Sequence, residues 1–457
     1  MMPIKIHQLA SKKTPKIILA AALFFLLPSC SDKEDDYDKK KAVSAFVADH
    51  VKIDQDLEKT QIALPSQKKN ILWNGSASEQ NQRIENFQKH FSPHKKSGKP
   101  LLKKVLQIWS GYRSGFSERF VFSPIIEENK IYLLDASGVL TARNLQTKEK
   151  IWESRIFPRR FLKNYQTPKI YLKNKKIFAI TGTNEIVAIN QDDGKIIWSK
   201  VISSIPLSSP VADENLVYLA TNDNKLYALN VDNGKLEWVQ SGVLRSTAIF
   251  GSATPVIYKD AIAVSYSSGE IYFINKKTGE VLWSQDLNLN KATNSDFYLN
   301  DIDATPVVND AVLYSIGNGG LMMAIATKDG HYLWKKEIAG ISDFWIAGDF
   351  IFVINNDNKL VAIHKKTGGI KWISQLPNFK NAKKSETKII YNAVIMSGDK
   401  LVVTSFRGEV LLISPFDGKI ENTISTRKQI SHAPIIVGNS LYLHALGRYS
   451  VDLIELE

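Results

Sequence analysis

The chain has 457 residues, 44% of them hydrophobic and 10% aromatic, which supplies an extensive core and excludes a disordered chain. Its formal net charge is +13, yet no Lys/Arg stripe interleaved with aromatics marks a nucleic-acid surface, so no nucleic acid is expected as a partner. A single cysteine, Cys30, excludes internal disulfides and multi-cysteine metal sites.

Lys5, Lys12, Lys13 and Lys16 precede an apolar run at 17–27, which has the length of a signal-peptide core and is too short for a permanent membrane span. The run ends in Leu27-Pro28-Ser29-Cys30 and turns polar at Ser31-Asp32-Lys33-Glu34. Leu27, Ser29 and Cys30 resemble a lipobox, although Pro28 is an uncommon occupant of its position. That resemblance implies a lipoprotein signal peptide over 1–29 and a lipid on Cys30 once the leader is cut. Ser31 after the lipidated cysteine implies sorting to the outer membrane, on its periplasmic face. Residues 30–70 read as a charged, flexible tether. Within it, Val43, Phe46, Val47, His50, Val51, Asp54 and Leu57 predict a short amphipathic helix over 43–57. Residues 71–103 form an extension expected to pack on the body, with Trp73-Asn74-Gly75 as a strap or plug.

From about residue 104 to 457 one pattern returns every 40 to 50 residues. Each copy opens on Ser/Thr-Pro and an apolar strand, as in Ser209-Pro210-Val211, Thr254-Pro255-Val256 and Thr305-Pro306-Val307. Proline suits a strand start, where its missing N–H costs little. A second strand follows (Leu216-Val217-Tyr218-Leu219-Ala220), then a polar turn (Asn222-Asp223-Asn224-Lys225) and a third strand (Leu226-Tyr227-Ala228-Leu229-Asn230). A turn ending in glycine recurs at Gly194, Gly234, Gly279, Gly330, Gly368 and Gly418, with Lys148 in the first copy. About four residues on stands a tryptophan: Trp152, Trp198, Trp238, Trp283, Trp334 and Trp372. A tryptophan repeated at one register reads as a packing device between repeats rather than a ligand site. Four short antiparallel strands without crossover helices, repeated, predict an all-β propeller of four-stranded blades. Third strands number eight, and the last copy has no fourth strand of its own. Val105-Leu106-Gln107-Ile108-Trp109 is expected to supply it, closing an eight-bladed ring without free edges.

The pattern running from Ala228-Leu229-Asn230 to Trp238, echoed from Ala188-Ile189-Asn190 to Trp198, resembles the pyrroloquinoline-quinone (PQQ) type repeat. Quinoprotein dehydrogenases share that repeat with a lipoprotein family of the outer-membrane β-barrel assembly machinery, and the repeat alone does not choose between them. Leu299-Asn300-Asp301-Ile302-Asp303-Ala304-Thr305-Pro306, Gly340-Ile341-Ser342-Asp343-Phe344 and Val243-Leu244-Arg245-Ser246 are similar to the assembly family's interblade segments. The resemblance implies docking onto the periplasmic domains of the barrel-assembly protein through Leu244, Arg245, Asp301 and Asp303, beside other assembly lipoproteins and as a monomer within the complex. Gly242 stands where that family has a leucine. A plainer alternative is that Arg245, Asp301 and Asp303 pair with one another and only shape the loops.

A quinoprotein dehydrogenase would need a Ca²⁺ site, a catalytic carboxylate and usually a vicinal disulfide, which one cysteine cannot form. The eight histidines show no metal-ligand spacing, and no nucleophile elbow, P-loop or dinucleotide fingerprint occurs. No cofactor, metal or catalytic residue is therefore expected. The other readings are a PQQ-dependent oxidoreductase and an envelope propeller that binds polysaccharide or another periplasmic protein.

Overall fold

A computed structural model describes residues 51–74, 83–89, 91, 102–109, 124–135, 138–156, 169–180, 183–243, 253–287, 302–379, 388–446 and 450–456. Cys30, the signal peptide and residues 43–50 of the predicted helix lie outside the described residues; of that helix only a 3-10 turn, Gln55–Leu57, is seen. The chain divides into two units, Met1–Asp49 and His50–Glu457, and every described residue belongs to the second.

Alternating apolar residues and tight turns fold each repeat into an antiparallel sheet, giving an all-β propeller architecture. Seven sheets contain four consecutive strands each, over 125–155, 169–201, 211–241, 256–286, 307–336, 345–375 and 395–425, which are blades 1 to 7. The remaining sheet is composite. Ile435–Val437, Ser440–Leu446 and Ser450–Leu456 form its C-terminal part, and Leu102–Trp109 pairs antiparallel with Ser450–Leu456, from Ser450↔Trp109 to Leu456↔Leu102. The expected count of eight blades is thereby corrected to seven complete four-strand repeats and one composite sheet, in which the strand from before the first repeat pairs with Ser450–Leu456 as expected.

The recurring motif has a local cause. The Asn230 side-chain oxygen accepts the Asp232 N–H at 3.0 Å, and the Asn230 carbonyl accepts the Gly234 N–H at 2.9 Å, which closes the turn between third and fourth strands. The tryptophan beyond the turn reaches into the next blade. Trp198 Nε1 donates to the Val231 carbonyl at 2.9 Å, and its ring lies against Gly234, where an added Cβ would meet Cε3 at 2.6 Å. Trp152, Trp238, Trp283, Trp334 and Trp372 repeat both contacts, linking blades 1 to 7 in sequence. The packing role read from the sequence is what these rings perform. Gly234→Ala, which combines that clash with a φ of +69°, is expected to cost about 1–3 kcal/mol; a denaturant titration matching wild type would refute the interlock.

The segment before the repeats is anchored earlier than the predicted end of the tether at residue 70. Asp54 N donates to the Ile370 carbonyl (2.9 Å) and Asp54 Oδ2 accepts the Ile370 N–H (2.6 Å), while Lys371 Nζ donates to the Leu57 carbonyl (2.7 Å). Ile62 is buried in the cluster shared by blades 6 and 7. Asn70 then exchanges bonds with the composite sheet: its Nδ2 donates to the Ile436 carbonyl (2.6 Å), and its own carbonyl accepts the Gly438 N–H (2.6 Å). Leu72–Asn74 adds a strand to Ile125–Glu127 of blade 1, with Trp73 3% exposed, and Asn74 Oδ1 accepts the Leu172 N–H of blade 2 (2.7 Å). Backbone that would otherwise satisfy its polar groups in water satisfies them on blade edges, which is why a stretch with so charged a composition is ordered.

Candidate partner-docking face

In an up-and-down blade, the turn between second and third strands and the link from the fourth strand to the next blade emerge at the same end. Val243 and Ile302, the described residues that border the segments expected to dock, are therefore at this end. Leu244, Arg245 and Asp301 lie outside the described residues; Asp303 is described and half-buried, between buried Ile302 and Ala304.

The approach to Leu244 and Arg245 is held by Asn224, whose φ of 53° places it in the left-handed turn that asparagine tolerates. Asn224 is 3% exposed; its Nδ2 donates to the Val243 carbonyl (2.7 Å), its carbonyl accepts the Gly242 N–H (2.7 Å), and its Oδ1 accepts the Ser267 hydroxyl of blade 4 (2.9 Å). The loop thus leaves blade 3 from a joint made by two blades. Gly242 is explained at the same place: a Cβ there would meet the buried ring of Tyr266 at 2.4 Å, so that ring occupies the space the assembly family's leucine would use.

A second cluster surrounds Asp303. Arg83, from the segment before the repeats, has a side chain 4% exposed and pairs with Asp343 (Nη2 to Oδ2, 2.5 Å). Asp343 Oδ1 accepts the Thr305 N–H at 2.7 Å, and Arg83 Nη1 donates to the Thr305 carbonyl at 3.5 Å. Lys169, which opens blade 2, donates to the Leu207 carbonyl; burial pushes its ammonium down to about 8, against the pull of Asp343 and Asp303. Burial also holds His432 down to about 4, with Lys169 adding repulsion, and His444 down to about 3, with His432 beside it at 5.6 Å between ring centroids. Arg83 and Lys169 went unrecognised in the sequence, where a lone basic residue carries no pattern, and Asn224 was read only as part of a polar turn. Asp343 falls in one of the family-like interblade segments, but nothing in its sequence context assigned it a role.

The two histidines stay neutral in the folded chain, whereas unfolded imidazoles take up protons near pH 6.5. Their stabilising contribution is full above that value and is lost as pH falls toward about 4. The melting temperature is expected to drop across this window, and His444→Leu is expected to make the drop shallower. An unchanged slope in that variant would show that the pair does not set the response.

This end also exposes apolar side chains: Val243 (51%), Ile341 (48%), Ile390 (64%) and Phe406 (40%), the last two joined by the Phe406 N–H on the Ile390 carbonyl. Among the described residues no group of three or more His, Cys, Asp or Glu is arranged to hold a metal ion, and no helix is long and apolar enough to cross a membrane.

Sheets of four antiparallel strands locked by a repeated tryptophan on a neighbouring glycine turn define a β-propeller of PQQ-like repeats. A family model described as outer membrane protein assembly factor BamB matches residues 166–374. Proteins of that name are 24% identical in Yersinia pestis (74% of this chain and 86% of the relative) and 27% identical in Salmonella typhimurium (68% and 79%). The crystal structure of BamB from Moraxella catarrhalis superposes with a TM-score of 0.62 at 16% identity, covering 78% of this chain and 98% of that one. A quinohemoprotein alcohol dehydrogenase from Comamonas testosteroni gives 0.63 at 11% identity, covering 88% and 82%, so the fold alone does not separate the two classes. The sequence similarity favours one of them: the family model over 166–374 and the relatives named here carry the BamB description.

Proposed function

We propose that this chain is a non-catalytic scaffold of the β-barrel assembly machinery that assists insertion of outer-membrane proteins. It would be anchored through lipidated Cys30 in the outer membrane, with its folded body in the periplasm. The observation that carries the reading is the relatedness to BamB over more than two thirds of the chain in the Yersinia and Salmonella relatives. The sheets would close into a ring through the composite sheet; the pairing of Leu102–Trp109 with Ser450–Leu456 supports this. Docking on the periplasmic domains of a BamA-like protein would use Leu244, Arg245, Asp301 and Asp303; exposed apolar residues, among them Val243 with its carbonyl held by Asn224, support this.

The test is co-purification of the tagged chain from envelope extracts, with wild type and Arg245→Ala in parallel. Wild type is expected to recover the barrel-assembly protein, and Arg245→Ala to recover at least about tenfold less, as for a central interface arginine. Equal recovery would sink the site assignment. The likeness to a quinohemoprotein dehydrogenase keeps an oxidoreductase reading in view; dye-linked activity after reconstitution with the quinone would revive it.

A further inference from the structure

We propose that Arg83 is a positioning residue for the docking loop: the segment before the repeats sets the backbone that carries Asp303. This rests on the proposed docking through Asp303. The geometry is a closed clamp. One carboxylate, Asp343, receives the Arg83 guanidinium on Oδ2 and the Thr305 N–H on Oδ1, while the same guanidinium reaches the Thr305 carbonyl. Thr305, two residues beyond Asp303, thereby has its N–H held by Asp343 and its carbonyl held by Arg83, 222 residues away in sequence. The clamp itself is fixed. Ile84 packs against the cluster containing Ala304, Val307 and Phe344. Trp345 Nε1 donates to the Glu85 carbonyl (2.7 Å), and Phe87 meets the Trp345 ring edge-on at 5.8 Å.

A bidentate guanidinium suits this task because its planar donors bind two acceptors in one orientation, which an ammonium cannot reproduce. The carboxylate is also fully used between loop and clamp. Without the guanidinium, Asp343 loses the partner on its Oδ2, and the Thr305 carbonyl loses a donor. Residues from outside the propeller repeat would thus tune how tightly the repeat's own loop meets its partner.

The experiment uses the full chain and the purified periplasmic domains of the barrel-assembly protein. Two quantities are read for wild type, Arg83→Ala, Arg83→Lys and Asp303→Ala: the dissociation constant, and amide hydrogen exchange over 302–307. Arg83→Ala is expected to speed that exchange and weaken binding, each by about tenfold, with exchange in blades 2 to 4 unchanged. Arg83→Lys is expected to recover only part of both. If Asp303→Ala weakens binding and Arg83→Ala does not, the inference is overturned and the docking reading stands. Should wild type fail to bind, or Asp303→Ala bind as wild type does, the docking reading falls, and unchanged exchange in Arg83→Ala removes the positioning role as well. Exchange rising everywhere would mark Arg83 as merely structural and overturn the inference. If Arg83→Ala does not fold, Asp343→Asn, which keeps an oxygen for the Thr305 N–H, carries the same readouts.

Discussion

Leu453→Asp is expected to prevent the repeat region from folding stably. Leu453 is fully buried and pairs in register with Leu106 on one side and His444 on the other, inside a cluster with Trp73, Val105, Ile126, Ile131 and Tyr442. That cluster joins the composite sheet to blade 1, so it holds the seam where the first and last parts of the propeller meet. An unpaired carboxylate there loses the leucine's packing and its own hydration together, about 4 kcal/mol or more. That is a large part of the roughly 5–15 kcal/mol that keeps a folded protein together. Val243→Asp is the control: the same change at a residue 51% exposed is expected to leave the melting curve within about 0.5 kcal/mol of wild type. Cooperative, wild-type-like melting of Leu453→Asp would show that the seam contributes little.

The second large effect is expected at Trp334. Its ring is 8% exposed, lies 6.1 Å from Tyr314 and covers Gly368, while Nε1 donates to the Lys365 carbonyl at 2.8 Å. Trp334→Ala is expected to cost about 3–5 kcal/mol, since Gly368 has no side chain with which to fill the space. Trp334→Phe keeps most of the contact and loses the N–H bond, leaving the Lys365 carbonyl without that donor, for about 1–3 kcal/mol. Thermal melts of the two variants separate packing from hydrogen bonding, and the ordering Ala below Phe below wild type is required. Equal melting of all three would mean that blades 5 and 6 are held by their strand cores alone.

Much of the architecture was legible in the sequence because it is repeated. A glycine turn and a tryptophan at fixed spacing reveal blade boundaries five times over, and each instance supports the others. The pairing of Leu102–Trp109 was legible for a related reason, since a strand with the fourth-strand pattern stood alone before the first copy. What escaped was anything that occurs once. Arg83 meets Asp343 across 260 residues, and no periodicity points from one to the other. Asn70 and Asp54 look like solvent-facing tether residues by composition, yet their side chains satisfy backbone groups of two different sheets. The docking loops stand between these cases: Leu244, Arg245, Asp301 and Asp303 were singled out by family likeness, while the supports around them, Asn224 and the clamp on Thr305, are visible only in three dimensions.

The bonds of Asn70 have a consequence for the order of events during folding. Asn70 is made early, but the Ile436 carbonyl that it binds is 366 residues further along. Leu102–Trp109 must likewise wait for Ser450–Leu456. Contacts of such sequence separation carry a heavy loop-closure cost and form late. Blades 1 to 7 can each fold as they emerge, while Asn70 and Leu102–Trp109 lack their partners until the last sheet is complete. For that interval the chain is open to wrong pairing, with itself or with other extended chains.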